Sequence, residues 1–179
     1  YLAPGNIGAK FLENNFNINS TTVAIISNFI GESIDYAISN DAKEIVLCGD
    51  LGKLIKLSGG IMNTHSNDSD SRLELLASSI LKLCIKESIQ LPIQIISNLF
   101  EQKTTTGAVN IIKENNFDNC FDILADQMLY YAYNRAFKAE IFYHKNRYAN
   151  IEEFKNNLSI RIIVFSDNIM IIDTGENNE

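Results

Sequence analysis

Between Ser27 and Glu74 the chain sets glycines beside groups that hydrogen-bond or carry charge. The blocks are Ser27-Asn28-Phe29-Ile30-Gly31, Gly49-Asp50-Leu51-Gly52-Lys53-Leu54, Gly60-Ile61-Met62-Asn63-Thr64-His65-Ser66, and the alternating Asp68, Asp70, Arg72 and Glu74. Glycine lets a backbone approach a ligand closely, and the polar neighbours supply donors, acceptors and charge. A ligand site is expected along this segment. Lys53 and Lys56 have no acid among their neighbours, so an anion could be held there. The alternative is a pair of solvated lysines on a helix face. His65 is a candidate general base or hydrogen-bonding loop residue, because an imidazole ordinarily titrates near neutrality. No second His or Cys lies near it, so no protein metal site is expected. The alternation in two-residue steps places Asp68, Asp70, Arg72 and Glu74 on more than one helix face, with Asp68 or Asp70 expected to cap the helix.

Several familiar chemistries fail on spacing. A phosphate loop needs four residues between its first Gly and the Gly-Lys pair, then Ser or Thr. Here only Asp50 and Leu51 separate Gly49 from Gly52-Lys53, and Leu54 follows. Pro4-Gly5-Asn6-Ile7-Gly8 offers Gly-x-x-Gly, short of a dinucleotide fingerprint and equally readable as an ordinary turn. The amides opening a helix after it could still receive a polar ligand group. No Gly-x-Ser-x-Gly elbow accompanies His65.

The elements that must position these groups read as one α/β domain, since 179 residues at 46% apolar composition suffice for one sizeable core. Thr22–Ser27 and Glu44–Cys48 are β-branched runs suited to strands covered on both faces, and Ile30, Ile34, Ala37 and Ile38 recur at helix spacing between them. This β-α-β unit implies a mainly parallel, Rossmann-like sheet whose ligands sit outside the strands' carboxyl ends. Helices are expected over 70–86, apolar nearly all round and hence buried, over 88–100 and 104–115, and from Phe121 to about Ala136. Ala139–Tyr143 and Ile160–Phe165 resemble strands, with Asp167-Asn168 turning the second into Asn168–Asp173 as a hairpin at one sheet edge. Tyr130, Tyr131 and Tyr133 read as packing residues, His144 as surface, and Glu176–Glu179 as a polar tail. The predicted class is thus a three-layer domain with helices on both faces and a C-terminal antiparallel hairpin.

A net charge of −7 without any basic run argues against nucleic acid as a partner. Three cysteines without a Cys-x-x-Cys pair fit a reduced, cytoplasmic protein, and no apolar stretch reaches the length of a membrane span. The chain opens on Tyr1, three residues before the Pro4 turn. It is therefore expected to be a fragment that lacks the strand leading into that turn.

With these blocks laid out, the chain resembles the C-terminal part of the cobalt-precorrin-5B C(1)-methyltransferase family. The resemblance is carried by Pro4-Gly5-Asn6-Ile7-Gly8, by Ser27-Asn28-Phe29-Ile30-Gly31, by Gly52-Lys53-Leu54 with Lys56-Leu57, and by Gly60 to Ser66 followed by Asp70, Arg72 and Glu74. It departs at Asp50, where the family usually has His, and at Asn67, where a basic residue is usual. The resemblance implies methyl transfer from S-adenosylmethionine to ring carbon C-1 of cobalt-precorrin-5B, giving cobalt-precorrin-6A in anaerobic cobalamin biosynthesis. It also implies an N-terminal domain absent from this sequence and a tetrapyrrole substrate that carries the cobalt. On that reading His65 and Asp50 are the catalytic candidates. Lys53, Lys56, Thr64, Ser66 and Arg72 would bind the substrate's carboxylate arms. The cofactor falls to Gly5, Asn6, Gly8, Asn28 and Gly31, placed on loops expected to share one end of the sheet, unless those loops hold the tetrapyrrole instead. A homo-oligomer is left open. The competing reading is a non-catalytic Rossmann-like module that binds a nucleotide or other anionic small molecule.

Overall fold

A computed structural model describes residues 1–145 and 147–175, and the tail read at Glu176–Glu179 lies outside them. Leu2–Ala3 forms β1, so the strand expected to be missing is present, and it pairs on both sides. Two residues suffice because both neighbours donate a ladder. The chain continues through α1 (Asn6–Phe16), β2 (Ala24–Ile25), α2 (Ile30–Ser39), β3 (Glu44–Asp50) and the single turn α3 (Leu51–Leu54). A 3-10 turn over Ile55–Gly59 ends at Gly60, whose φ of 76° is left-handed. Then follow α4 (Arg72–Glu87), α5 (Ile93–Phe100), α6 (Thr105–Glu114), α7 (Cys120–His144), α8 (Ile151–Lys155), β4 (Ser159–Ser166) and β5 (Ile169–Asp173).

The sheet order is β2-β1-β3-β4-β5, parallel except for the β4-β5 hairpin at one edge. Asp167 and Asn168 make the hairpin turn with positive φ, as short polar side chains tolerate. β3 pairs with β4 from Glu44 opposite Ser159 to Asp50 opposite Phe165. Alternation along these two strands divides the core. Ile45, Leu47, Ile160, Ile162 and Val164 pack with α2, α4, α6 and α7, whereas Val46, Cys48, Ile163 and Phe165 face α1. Phe11 of α1 stacks on Phe165 with ring centroids 4.3 Å apart. The three-layer, mainly parallel architecture is as the sequence implied.

The differences have local causes. Of the run over 22–27 only Ala24–Ile25 ladders, and both residues are exposed, because β1 lies between β2 and β3 and leaves β2 at the sheet edge. Thr22 instead ends a 3-10 turn over Ser20–Thr22 that the Asn19 side chain caps. The stretch over 139–143 is helix, not strand. Its Ile-Phe-Tyr composition favours strand, but Ala132, Ala136, Ala139 and Glu140 extend a buried stripe at helical spacing, and α7 follows it. The helix over 72–87 is not enclosed, since Leu81 and Ile85 are 43% and 71% exposed. Its N-cap is Ser71 rather than Asp68 or Asp70. Pro92 directly precedes α5, so that helix opens later than the pattern from Ser88 implied. Tyr131 packs on Gly60 and Tyr133 bonds the Leu158 and Ile160 backbone, but Tyr130 is exposed. His144 is partly buried, with Nε2 2.9 Å from the Ile38 carbonyl oxygen.

Candidate functional site

The sheet order reverses between β1 and β3, where crossovers leave in opposite directions and a crevice opens at the strands' carboxyl ends. Two cavities occupy that crevice and share Asp50 and Lys53 in their walls.

The first, of about 430 Å³, is built around the turn from β1 into α1 and is lined by Pro4, Gly5, Asn6, Ile7 and Gly8 with Gly49, Asp50 and Lys53. Lys53 ties its two sides together by donating to the Pro4 carbonyl at 2.6 Å. The two glycines act differently. A Cβ on Gly5 would meet nothing within 4 Å, so the backbone there is open to a ligand. A Cβ on Gly8 would collide with the Cys48 carbonyl oxygen, so Gly8 is what lets α1 lie against β3. The amino end of α1 has no side-chain cap and no acid in its first turn, which leaves it receptive to a negative group.

The second cavity, of about 530 Å³, gathers Asp50, Lys53, Lys56, Thr64, His65, Ser66 and Arg72, together with Asn28, Gly52 and Thr105. All seven catalytic and substrate candidates therefore share one wall system. The loop carrying Thr64 to Ser66 is docked on the β2-α2 turn through backbone. Phe29 and Asn63 form an antiparallel bridge, Thr64 N–H donates to the Asn28 carbonyl at 2.9 Å, and Gly31 N–H donates to Met62 at 3.1 Å.

This docking revises the cofactor grouping drawn from the sequence. Gly31 is buried, and a Cβ there would stand 2.8 Å from Met62 Cβ, so its smallness serves packing of α2 on the loop. Asn28 Oδ1 accepts from Thr64 Oγ1 at 3.3 Å and faces the second cavity, not the first. Only Gly5, Asn6 and Gly8 stay together around the glycine turn.

Neither lysine is a solvated helix-face residue. Lys56 is 2% exposed and donates to the Thr64 and Ser69 carbonyls at 2.9 and 2.6 Å, so it anchors the loop while lining the cleft. Burial pulls its pKa below the usual lysine value. Asp50 caps α3 by accepting from Gly52 N–H at 2.8 Å. Burial pushes its pKa up, opposed by the Gly52 amide and the charges of Arg72 and Lys53. Arg72 donates through Nε and Nη2 to the two oxygens of Asp70 at 2.5 and 2.9 Å, which holds Asp70 below and Arg72 above their ordinary pKa values. That pairing, rather than capping, is the role of Asp70. His65 is exposed, and its Nδ1 accepts from Asn67 N–H at 3.2 Å, which assigns the ring proton to Nε2.

Sequence reasoning missed Thr105 as a lining residue. The signal was the run Thr104-Thr105-Thr106 at a helix start, which reads as capping only. Among the described residues no three His, Cys, Asp or Glu side chains gather to hold a metal ion, and no helix is long and apolar enough to cross a membrane. The three thiols are buried, and burial raises the pKa of each, that of Cys48 and Cys120 to about 12, which disfavours the thiolate.

Residues 63–143 match the family described as CbiD, C-terminal domain. The chain is 34% identical to the cobalt-precorrin-5B C(1)-methyltransferase of Ruminiclostridium cellulolyticum over 93% of this chain and 37% of that protein. The like-named proteins of Alkaliphilus metalliredigens and Methanocaldococcus jannaschii are 34% and 35% identical, each over 70% of this chain and 32% and 33% of their own lengths. Both comparisons bear out the family read from the sequence. The chain spans about a third of the length of these relatives. No solved structure matches it. The CbiD-matched segment starts at the loop that brings Thr64, His65 and Ser66 and runs through α4, α6 and most of α7, so it supplies one wall of the polar cleft. The glycine turn and the residues from Asn28 to Lys56 precede it.

Proposed function

We propose that this chain is the C-terminal part of an S-adenosylmethionine-dependent C-methyltransferase acting on ring carbon C-1 of cobalt-precorrin-5B, to give cobalt-precorrin-6A in cytoplasmic, anaerobic cobalamin biosynthesis. The observation that carries the reading is the pair of adjoining cavities at the sheet's switch point, joined at Asp50 and Lys53. Two bound molecules in adjoining cavities are what a group transfer between them requires.

The glycine-turn cavity fits the methyl donor. Its volume lies within the ordinary range of small-molecule pockets, about 300–1,000 Å³. Gly5 leaves room against the backbone, the uncapped start of α1 suits the donor's carboxylate, and Asp50 on the shared wall suits a ribose hydroxyl or the sulfonium. When bound, the donor supplies an electrophilic methyl group. The polar cleft would take the tetrapyrrole, with Lys53, Lys56 and Arg72 facing its carboxylate arms and Thr64 and Ser66 supplying hydroxyls. Holding donor and acceptor in line is the main catalytic task and can supply roughly 7–11 kcal/mol in the best model cases. His65 Nε2, at the cleft's exposed rim, is the group placed to move a proton. The remaining two thirds of the protein would complete the site.

Calorimetric titration of S-adenosylhomocysteine into this chain and into the full-length protein tests the reading. Binding to both places the donor pocket on the glycine turn. Binding to the full-length protein alone moves that pocket elsewhere, and binding to neither counts against methyl transfer.

A further inference from the structure

The three threonines that open α6 have different tasks. Thr104 Oγ1 accepts from Gly107 N–H at 3.1 Å and caps the helix. Thr106 Oγ1 lies 3.3 Å from Ser166 Oγ. Thr105 is 8% exposed and lines the polar cleft, and its hydroxyl has no hydrogen-bond partner among the described residues. The oxygen itself is still reached from the cleft, so a ligand atom there can accept its proton.

Arg72 presents a matching donor. Its Nε and Nη2 are held by Asp70, which fixes the guanidinium plane and leaves Nη1 toward the cleft. The two donors converge above one glycine. A Cβ on Gly52 would stand 3.0 Å from Asp50 Oδ1, 3.2 Å from Thr105 Oγ1 and 3.9 Å from Arg72 Nη1, so the absence of a side chain there keeps open a space that the two donors border on one side and the Asp50 carboxylate on the other. The ten-residue α6 carries no acid in its first turn, and its amino end adds partial positive charge to the same corner. Lys53, Lys56 and Arg72 outnumber the one carboxylate in the cleft wall, Asp50, which is itself engaged with the Gly52 amide.

We propose that Thr105 Oγ1 and Arg72 Nη1 form a carboxylate subsite at the amino end of α6, which takes one acidic arm of the substrate and fixes how the ring lies against the donor cavity. The inference rests on the tetrapyrrole reading above and adds Thr105 as a substrate-binding residue. One oxygen of the arm accepts from the guanidinium and the other from the hydroxyl, a two-point attachment with a direction that a single flexible lysine does not impose. Thr105 is not the capping residue, so removing its hydroxyl leaves the helix cap intact.

The test is calorimetry on the full-length protein with a stable corrin polycarboxylate, cobyrinic acid, and with its methyl ester. The wild type should bind the acid at least tenfold more tightly than the ester. T105V should weaken binding of the acid about tenfold, the lower end expected for a hydroxyl bonded to a charged group, and leave the ester unchanged. T105S, which keeps the hydroxyl, should restore wild-type affinity. T105V binding the acid as tightly as wild type would overturn the subsite and leave the methyltransferase reading standing. A wild-type protein that binds neither corrin would overturn the tetrapyrrole reading and the subsite with it.

Discussion

The two cavities at the switch point share Asp50 and Lys53 but are made of different material. The glycine turn is shaped by backbone, by where Gly5 leaves space and where Gly8 brings α1 against β3. The polar cleft is shaped by side chains from five separate stretches, the β2-α2 turn, the β3-α3 turn, the loop after Gly60, the start of α4 and the start of α6. A backbone cavity is set by the local chain and resists only added bulk. A side-chain cavity depends on the struts that hold its loops, here Lys56 and the strand-like pairing of Asn28 to Gly31 with Met62 to Thr64. The two should therefore fail under different substitutions.

The largest effect is expected at Gly8. Gly8→Ala drives a methyl into the Cys48 carbonyl, which is backbone and cannot turn aside, so it should destabilise the fold by about 3 kcal/mol, the upper part of the overpacking range. Gly5→Ala meets only open space and should stay within about 0.5 kcal/mol of wild type. Urea unfolding of both variants reads the contrast, and equal stabilities would show that helix and strand do not approach as described.

Lys56→Met should have a smaller effect, confined to the cleft. It leaves the Thr64 and Ser69 carbonyls without their donor, so amide exchange over residues 64–69 should accelerate roughly thirtyfold, equivalent to about 2 kcal/mol of lost local protection. Amides of α1 should exchange as in the wild type. Acceleration spread evenly over both regions would merge the two cavities into one cooperative unit.

The smallest effect is a pH dependence at the residue they share. Burial raises the pKa of Asp50 in the folded state above its ordinary value, so folding favours its protonated form. Its contribution is present in full below pH 3.8 and is lost as pH rises through the raised folded value. Compared with Asp50→Asn, which keeps an oxygen for the Gly52 amide, the wild type should lose relative stability across that window and then level off. Urea midpoints of both proteins from pH 3 to pH 7 check the sign, and a difference that grows in favour of the wild type would mean that Arg72 and Lys53 outweigh burial.

Much of the architecture was legible because it is local. The unbroken apolar run in Glu44–Cys48, the spacing of Ile30, Ile34 and Ile38, and the Asp167-Asn168 turn each announce an element from a few residues. Where local preference and tertiary phase disagreed, the residues around Ala139 followed the buried stripe of α7. Partner choice was also hidden, since nothing in Leu2–Ala3 says that it will lie between two other strands.

By itself the sequence determined which groups are present and roughly where the crevice opens: the glycines, Asp50, Lys53, His65 and Arg72 fall on turns that follow strands or precede helices. Only the tertiary structure decided their partners. It gave Gly31 to packing and Gly5 to open space, made Lys56 a strut, and turned one of three adjacent threonines into the cleft. Spacing along a chain specifies a residue's phase within its own element, whereas the contact of Thr105 with the space above Gly52 depends on how two distant elements dock, and docking is fixed by the whole core.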